Sequence, residues 1–450
     1  MGFIDILLFP VYIFLFHLVF AYSRKKIKDP KLKFYHKYAF WVKIFASFCM
    51  TIFNVYISPG DSTNLYYIEG HNLARHILAD ADNIQWLFKT GKEYPVELIK
   101  LSGNTGYFGS ESNVIIIKLV AIFSFLSFGR YIIINLFFSM LALSGIWKLF
   151  LFFYDSYPHL HKHLSMAILF LPTVVFWSSG ALKDPVCMAM LGWFTYSMYK
   201  GFYKKKDVML CTGVAIVSTL VLFTVKPYIL FAYIPFFLLY LFLINMGLIK
   251  NYFVKFFAFV VIGGLSMLGF VSMSSVLQEE MGNLSLDNLA GTVESHQSNF
   301  AAMANRAESS FSLGVEFDGT MGSLAAVAPA AINATLFRPY IWESKKISTL
   351  LSSLESLTLM IFFLYVLFKV GIFKFFGIIL KDPMVMFCFF FAILFALFVG
   401  ATTLNFGTLV RYKIPCMPFF TIALILIYQK GAKQKTKTTV AVTEEKLVTT

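Results

Sequence analysis

The amino-acid sequence predicts an all-α polytopic membrane protein. Of its 450 residues, 58% are hydrophobic and only 14% are charged, whereas soluble domains are about 45–50% apolar. The mean hydropathy is correspondingly high, at +0.72. The apolar residues also form continuous runs, such as 383–400, which suit spanning helices and not the alternating strands of a membrane barrel.

A spanning helix takes about 20 apolar residues, and about eleven segments of the chain approach this length. The predicted spans are 3–22, 38–58, 131–153, 165–178, 186–202, 208–225, 229–247, 254–275, 352–372, 384–400 and 414–429. The further apolar run 114–128 is predicted to be interfacial or re-entrant. A twelfth span there would move the lysines at 204–206 to the opposite side of the membrane.

The formal charge of +14 is compatible with nucleic-acid binding, but its distribution along the chain indicates membrane topology and no nucleic-acid partner. Residues 23–37 contain seven bases and one acid, which places them in the cytoplasm by the positive-inside rule. Residues 59–113 contain seven acids and four bases, and residues 276–350 contain eight acids and four bases. These two long loops are therefore predicted to be extracytoplasmic. With eleven spans, the N-terminus lies outside and the C-terminus lies in the cytoplasm.

The domain organisation predicted from these segments is simple. Residues 1–429 form one transmembrane domain, and the basic tail 430–450 is disordered. Residues 276–337 are polar and rich in small side chains, which favours a partly helical, mobile segment that covers a substrate site and not a separate rigid domain. The five cysteines all fall in apolar runs, which indicates packing and not disulfides or metal ligands.

The most informative local feature is a polar break inside the apolar stretch 165–202. Ser178-Ser179-Gly180 and then Lys183-Asp184 interrupt it, and charges at membrane depth are energetically costly. We interpret residues 178–185 as an elbow between two half-tilted helices. Lys183 is a candidate phosphate contact and Asp184 its structural partner. The alternative is an ordinary helix start, with Pro185 in the first turn.

Other charged residues cluster at the predicted outer ends of helices, where cations can pair with the phosphate of an anionic lipid. The further candidates are Asp61 as catalytic base and, as phosphate contacts, Lys226, Arg338, Arg411, Tyr412 and Lys413. Asp61 follows Pro59-Gly60 and also fits a turn or cap. Arg411 and Lys413 also fit interfacial anchors, with Tyr412 in an aromatic belt.

No metal site or nucleotide-binding motif is predicted. His159, His161 and His163 alternate in a short loop, but no cysteine or carboxylate cluster completes a metal-binding set. The sequence contains no P-loop, HExxH or GxSxG motif.

Four places in the chain carry a resemblance to the GT-C superfamily, polytopic glycosyltransferases that take sugars from polyprenyl-phosphate carriers at the outer membrane face. These are Gly60-Asp61 with Tyr66-Tyr67, the elbow from Phe176 to Asp184 with Pro172 upstream, Lys226, and the late segment Phe406-Gly407, Arg411-Tyr412-Lys413-Ile414-Pro415 and Pro418-Phe419. The chain is also similar in character to bacterial O-antigen polymerases. It departs from the superfamily in having a helix, 3–22, before the acidic loop. It also has no acidic pair after Gly60, which leaves a divalent metal open; no other cofactor is implied.

The resemblance implies an enzyme of the bacterial cytoplasmic membrane that uses a polyprenyl-phosphate-linked sugar and a glycan, lipid or protein acceptor. Asp61 would take the acceptor proton, and Arg411, with Lys183 and Lys226, would hold the departing phosphate. Three alternatives remain open: a polysaccharide polymerase acting on lipid-linked repeats, a transporter or flippase for an anionic or lipid-linked substrate, and a membrane assembly subunit. The sequence predicts no oligomeric state.

Overall fold

The computed structural model describes residues 2–94, 110–245, 311–313, 321–344, 347–403 and 405–448, and it describes the side chains of these residues except at 321–325, 347–348 and 433–448. This part of the chain is helical and contains no β-strand, as the composition predicts. The chain packs as two compact units, Met1–Pro227 and Tyr228–Thr450, where the sequence predicts a single transmembrane domain. Each unit is described below by itself.

Seven helices among the described residues are long and apolar enough to cross a membrane, and a bent helix pair would make an eighth. The seven are Phe3–Lys25, Pro30–Ile57, Tyr131–Ser156, Val208–Val225, Pro227–Asn245, Thr349–Val370 and Pro383–Thr402. The bent pair is Phe406–Tyr412 with Met417–Ala432, at an angle of 63°. The protein is therefore a helical membrane protein, and eight of the eleven predicted spans correspond to these helices. The predicted span 254–275 lies outside the described residues.

The first unit contains nine helices of the α type among its described residues. They are α1 (Phe3–Lys25), α2 (Pro30–Ile52), α3 (Ile68–Ala79), α4 (Glu111–Ser127), α5 (Tyr131–Ser156), α6 (His161–Ile168), α7 (Pro172–Trp177), α8 (Lys183–Met198) and α9 (Val208–Val225). Short π-helical turns extend α2 over Phe53–Ile57, precede α3 over Ser62–Tyr67 and extend α8 over Tyr199–Tyr203, and 3-10 turns form at Ala81–Leu87, Gly91–Glu93 and Pro158–Leu160.

The predicted span 165–178 is divided in the structure into α6 and α7. Pro172 is the first residue of α7, and the steric demand of a proline ring disfavours helical geometry in the residue before it. The two helices contain only eight and six residues. The predicted span 186–202 corresponds to α8 and its π-helical extension.

Helix α5 is the core of the first unit, and it packs against α2, α4 and α8. Its crossing with α8 depends on small residues. A Cβ added at Gly145 would lie 2.0 Å from the carbonyl oxygen of Ala189, and one at Gly192 would lie 1.9 Å from that of Gly145. Glycines allow such close backbone approach, which drives helix association where lipid removes the hydrophobic effect.

The second unit is built around a buried aromatic cluster. Its helices of the α type in the described residues are α10 (Pro227–Asn245), α11 (Met321–Phe337), α12 (Ile347–Val370), α13 (Ile372–Lys381), α14 (Pro383–Thr402), α15 (Phe406–Tyr412) and α16 (Met417–Val448), with a 3-10 turn at Ile341–Glu343. Tyr233 of α10 contacts the rings of Phe387 and Phe391 on α14 and of Phe419 on α16. Helix α16 continues through the basic tail, where composition predicts disorder; lysine and glutamine are good helix formers.

Helix α11 accounts for part of the second long loop. Residues 321–337 are predicted to belong to a partly helical, mobile covering segment, and in the structure they form a helix that packs on α14. A Cβ at Gly400 would lie 2.0 Å from the carbonyl oxygen of Ala331, and the Thr335 hydroxyl donates to the carbonyl oxygen of Ala396 at 2.7 Å. The small side chains of this segment therefore serve close helix packing. Residues 276–310 lie outside the described part.

Candidate functional site

The elbow of the first unit is formed by residues 178–182, between α7 and α8. The Ser178 hydroxyl donates to the carbonyl oxygen of Val174, and the Ser179 hydroxyl donates to that of Val175 at 2.6 Å. Serine side chains that bond the preceding turn compete with the helix ladder. Helix α8 then restarts at Lys183 with Pro185 in its first turn, where the missing amide hydrogen has no cost.

A buried lysine from a neighbouring helix holds the N-terminal half of the elbow. Lys43, in the middle of α2, is only 2% exposed. Its ammonium donates to the Ser178 carbonyl oxygen at 2.6 Å and to the hydroxyls of Ser178 and Ser179 at 2.9 and 2.6 Å. Ser139 of α5 donates to the Lys43 carbonyl oxygen at 2.9 Å. The cation is thus surrounded by neutral oxygens, which satisfy its three N–H donors.

A buried ion pair holds the other half of the elbow. The Lys226 ammonium lies 2.7 Å from a carboxylate oxygen of Asp184, and the two side chains are 3% and 1% exposed. From the sequence, Asp184 is predicted to be the structural partner of its neighbour Lys183, and Lys226 is predicted to contact phosphate. In the structure Lys226 instead pairs with the first turn of α8, within the first unit.

Lys183 extends from the elbow towards the first long loop. Its ammonium donates to the Ser112 hydroxyl at 2.6 Å, and the residue is half-buried. Ser112 lies in the first turn of α4. The next residue, Asn113, accepts a hydrogen bond from the Tyr66 hydroxyl at 3.0 Å. These contacts link the elbow to the segment that follows Asp61.

Asp61 is half-buried and directly precedes the π-helical turn Ser62–Tyr67. The Ser62 hydroxyl lies 2.7 Å from that of Tyr131, which precedes Asn135 by one turn on α5. The Asn135 side-chain oxygen accepts from the backbone N–H of Ala181, inside the elbow, at 2.8 Å. The loop of Asp61 and the elbow therefore both contact the first two turns of α5, through Tyr131 and Asn135 respectively.

In the second unit, Arg338 occupies a defined setting after α11. Its guanidinium forms a bidentate ion pair with Glu343, with Nε 3.0 and 3.1 Å from the two carboxylate oxygens. It also lies over the rings of Phe311 and Phe406, at 4.5 and 5.2 Å from their centroids. Such stacking adds to the ion pair. The side chain is 14% exposed.

Lys413 contacts the backbone of Arg338 and is 0% exposed. Its ammonium donates to the Arg338 carbonyl oxygen at 3.1 Å and to the Ser356 hydroxyl at 2.9 Å. Arg411 and Tyr412 end α15 and are half-buried. Burial therefore divides the predicted phosphate contacts. Lys226 and Lys413 are enclosed with partners in their own units, whereas Lys183, Arg338, Arg411 and Tyr412 keep part of their surface exposed.

Among the described residues, no three histidine, cysteine, aspartate or glutamate side chains are placed to hold a metal ion. His161 of the histidine loop bonds the Tyr35 hydroxyl at 2.6 Å. All five cysteines are free, and four are buried. The predicted packing role is confirmed for those four.

The chain matches no protein-family model, no curated protein and no solved structure.

Proposed function

We propose that this protein is a membrane glycosyltransferase that moves a sugar from a polyprenyl-phosphate carrier to an acceptor at the extracytoplasmic face of a bacterial cytoplasmic membrane. One observation carries the proposal: Asp61 and Lys183, a carboxylate and an ammonium, belong to segments that make polar contacts with the same helix, α5. Ser62 contacts Tyr131, and Asn135, one turn further along α5, contacts the elbow. A second connection joins Lys183 to Ser112. A carboxylate and an ammonium that are partly exposed and held in place by neighbouring hydrogen bonds suit group transfer to and from a phosphate.

The chemistry assigned to these residues is a displacement at the anomeric carbon. The bond from this carbon to the lipid phosphate oxygen breaks, and its electron pair leaves with the phosphate. A bond to the acceptor oxygen forms, and the proton of the acceptor hydroxyl passes to the carboxylate of Asp61. The Lys183 ammonium stabilises the negative charge that accumulates on the phosphate. The bilayer holds the polyprenyl tail.

The second unit offers further cations for the same class of ligand. Arg411 and Arg338 are proposed phosphate contacts, with Tyr412 beside them. Lys413 and Lys226 are assigned supporting roles, because both ammonium groups are buried with internal partners.

The test is release of free polyprenyl phosphate from a polyprenyl-phosphate sugar by the purified protein in bilayer nanodiscs, with an added glycan or water as the hydroxyl acceptor. Asp61→Asn removes the base and should lower the rate by about 10²-fold or more. Asp82→Asn is the matched control, since Asp82 is an exposed carboxylate of the same loop, and it should keep the rate. Unchanged release by Asp61→Asn would refute the assignment of Asp61.

A transporter for an anionic or lipid-linked substrate is the second candidate, and the buried lysines favour it. Ionisable residues at membrane depth often mark ion or substrate pathways, and Lys43 and Lys226 are both buried in helical surroundings. A transporter would move the intact lipid-linked sugar across a liposome membrane and release no polyprenyl phosphate. A polymerase would show the same bond cleavage as the transferase, with a lipid-linked glycan as acceptor.

A further inference from the structure

The first unit contains an apolar groove between α8 and α9 that the proposed reaction does not use. Its volume is about 880 Å³, within the ~300–1,000 Å³ typical of ligand pockets. Met190 and Trp193 form one wall, and Gly213 and Val217 belong to the other. Asp207 lines one end. The groove therefore has an apolar body and a polar end.

The length of the groove fits one lipid tail. The lining residues of α9 run from Val208 to Val217, about 14 Å at ~1.5 Å per residue. One leaflet is half of a hydrocarbon core of ~30 Å, so the two lengths agree. Met209, a lining residue in the first turn of α9, is 92% exposed, which places the groove on the surface of the unit.

The turn at the polar end of the groove is basic. It contains four lysines, two of which are neutralised: Lys200 pairs with Asp207 at 2.5 Å, and Lys204 pairs with Asp155. Lys205 and Lys206 are exposed, and neither forms an ion pair within the described part of the chain. Two ammonium groups are therefore available for a ligand anion.

The neighbouring aromatic residues indicate the depth of this turn in the membrane. Phe202 and Tyr203 are 53% and 43% exposed, and exposed aromatic side chains beside lysines are typical of the membrane interface. The positive-inside rule assigns this turn to the cytoplasmic side, opposite the proposed reaction.

We propose that the groove binds one anionic phospholipid of the inner leaflet, with an acyl chain between α8 and α9 and its phosphate at Lys205 and Lys206. The charge argues for this occupant, because a neutral head group gains nothing from two unpaired lysines, whereas each lysine near the surface attracts anionic lipid. This site is separate from the proposed glycosyl transfer, and it stands if that function fails.

Gly213 provides a direct test of the tail site. A Cβ at this position meets nothing within 4 Å, so Gly213→Phe directs a ring into the groove without disturbing the backbone. Gly213→Ala is the matched control, since it changes the helix propensity in the same direction and leaves most of the groove open. Native mass spectrometry of the purified full chain, titrated with phosphatidylglycerol or phosphatidylcholine, counts the bound lipids.

The expected result is that the parent protein retains one phosphatidylglycerol. Gly213→Phe should lower the occupancy of this lipid at least tenfold, and Gly213→Ala should leave it unchanged. The double substitution Lys205→Gln and Lys206→Gln should weaken binding by about tenfold or more. Lys25→Gln with Lys28→Gln should not, because these exposed lysines lie in the other basic loop. Equal retention of phosphatidylcholine, or unchanged binding by the lysine variants, would overturn the proposal. A dimer mass that Gly213→Phe abolishes would instead assign the groove to a second copy. Should Gly213→Phe fail to fold, the lysine variants decide.

Discussion

The elbow of the first unit and the Arg338 turn of the second unit both hold cations, but by different means. At the elbow, Lys43 is surrounded by hydroxyl and carbonyl oxygens and Lys226 by a carboxylate, and all of these groups are buried. At the other site, Arg338 keeps partial exposure between a carboxylate and two rings. A buried lysine that loses its partner has no water to replace it, whereas a partly exposed guanidinium does.

This difference separates structural cations from ligand-binding cations, which look alike in the sequence. A basic residue at a helix end can stabilise the fold or contact a ligand. The sequence predicts a single role, contact with a ligand phosphate, for Lys183, Lys226, Arg338, Arg411 and Lys413. Lys226 and Lys413 are buried with internal partners, as expected of residues that stabilise the fold. The elbow should therefore respond to substitution mainly through stability, and the exposed cations mainly through ligand binding.

The largest effect is expected from Asp184→Leu, which leaves the Lys226 ammonium buried without its carboxylate. Breaking a buried pair from one side costs about 3–5 kcal/mol. Thermal and denaturant unfolding of the purified protein would measure it.

The matched control is the double variant Asp184→Leu with Lys226→Met. Removing both charges should recover most of the lost stability, because an apolar pair of similar volume is often as stable as a buried ion pair. A double variant as unstable as Asp184→Leu alone would show that the pair is not the source of the effect.

Lys43→Met should come next, with a loss of about 2–3 kcal/mol. It leaves the Ser178 carbonyl oxygen without its lysine donor in a buried site, and hydrogen bonds to charged groups are worth about 1.5–3 kcal/mol each. Ser179→Ala removes only one of the acceptors and should cost about 1 kcal/mol. If Lys43→Met is as stable as the parent protein, Lys43 does not fix the elbow.

The sequence predicted where the elbow lies but not what holds it. The small polar residues and Pro185 mark the break, because both disrupt a helix in recognisable ways. Lys43 was missed since one lysine hardly lowers the mean hydropathy of a long apolar run, although a charge in such a run is itself a signal. Asp184 was joined to Lys183 because they are adjacent, yet neighbouring residues on a helix do not face each other. Its partner Lys226 is 42 positions away, a contact that only the packing of α8 reveals.

The Arg338 turn should tolerate change better than the elbow. Glu343→Gln keeps the shape of the side chain and removes its charge, so it should cost about 1–2 kcal/mol in unfolding free energy, between the values for exposed and for fully buried pairs. Arg338→Lys keeps the charge and loses the planar fork and the stacking on Phe311 and Phe406. If these residues bind phosphate, Arg338→Lys should weaken binding of a polyprenyl phosphate more than it lowers stability. Equal losses in binding and stability would identify the turn as purely structural.

The smallest effect is expected from pH, at His71 in the loop beside the elbow. The His71 ring stacks on Tyr67 at 5.7 Å and packs against Gly129, where a Cβ would lie 2.2 Å from the ring. Burial, and then the charge of Arg75, lower the pKa of His71 below its usual value of 6.5. The folded state therefore binds fewer protons than the unfolded chain. The contribution of His71 to the stability of the folded state is fully present above pH ~6.5, and it is lost as the pH falls through the lower native pKa.

Unfolding midpoints of the purified protein at pH 7.5 and 5.5 should therefore differ, and His71→Gln should reduce the difference. His163→Gln is the control, because His163 is an exposed histidine of helix α6. If His163→Gln reduces the difference as much as His71→Gln does, acid acts on the protein generally and not through this loop. A selective effect of His71 would mean that the segment carrying Asp61 is held by ring packing against the turn between α4 and α5. In that case the loss of this ring packing in acid should slow the proposed transfer before the elbow itself unfolds.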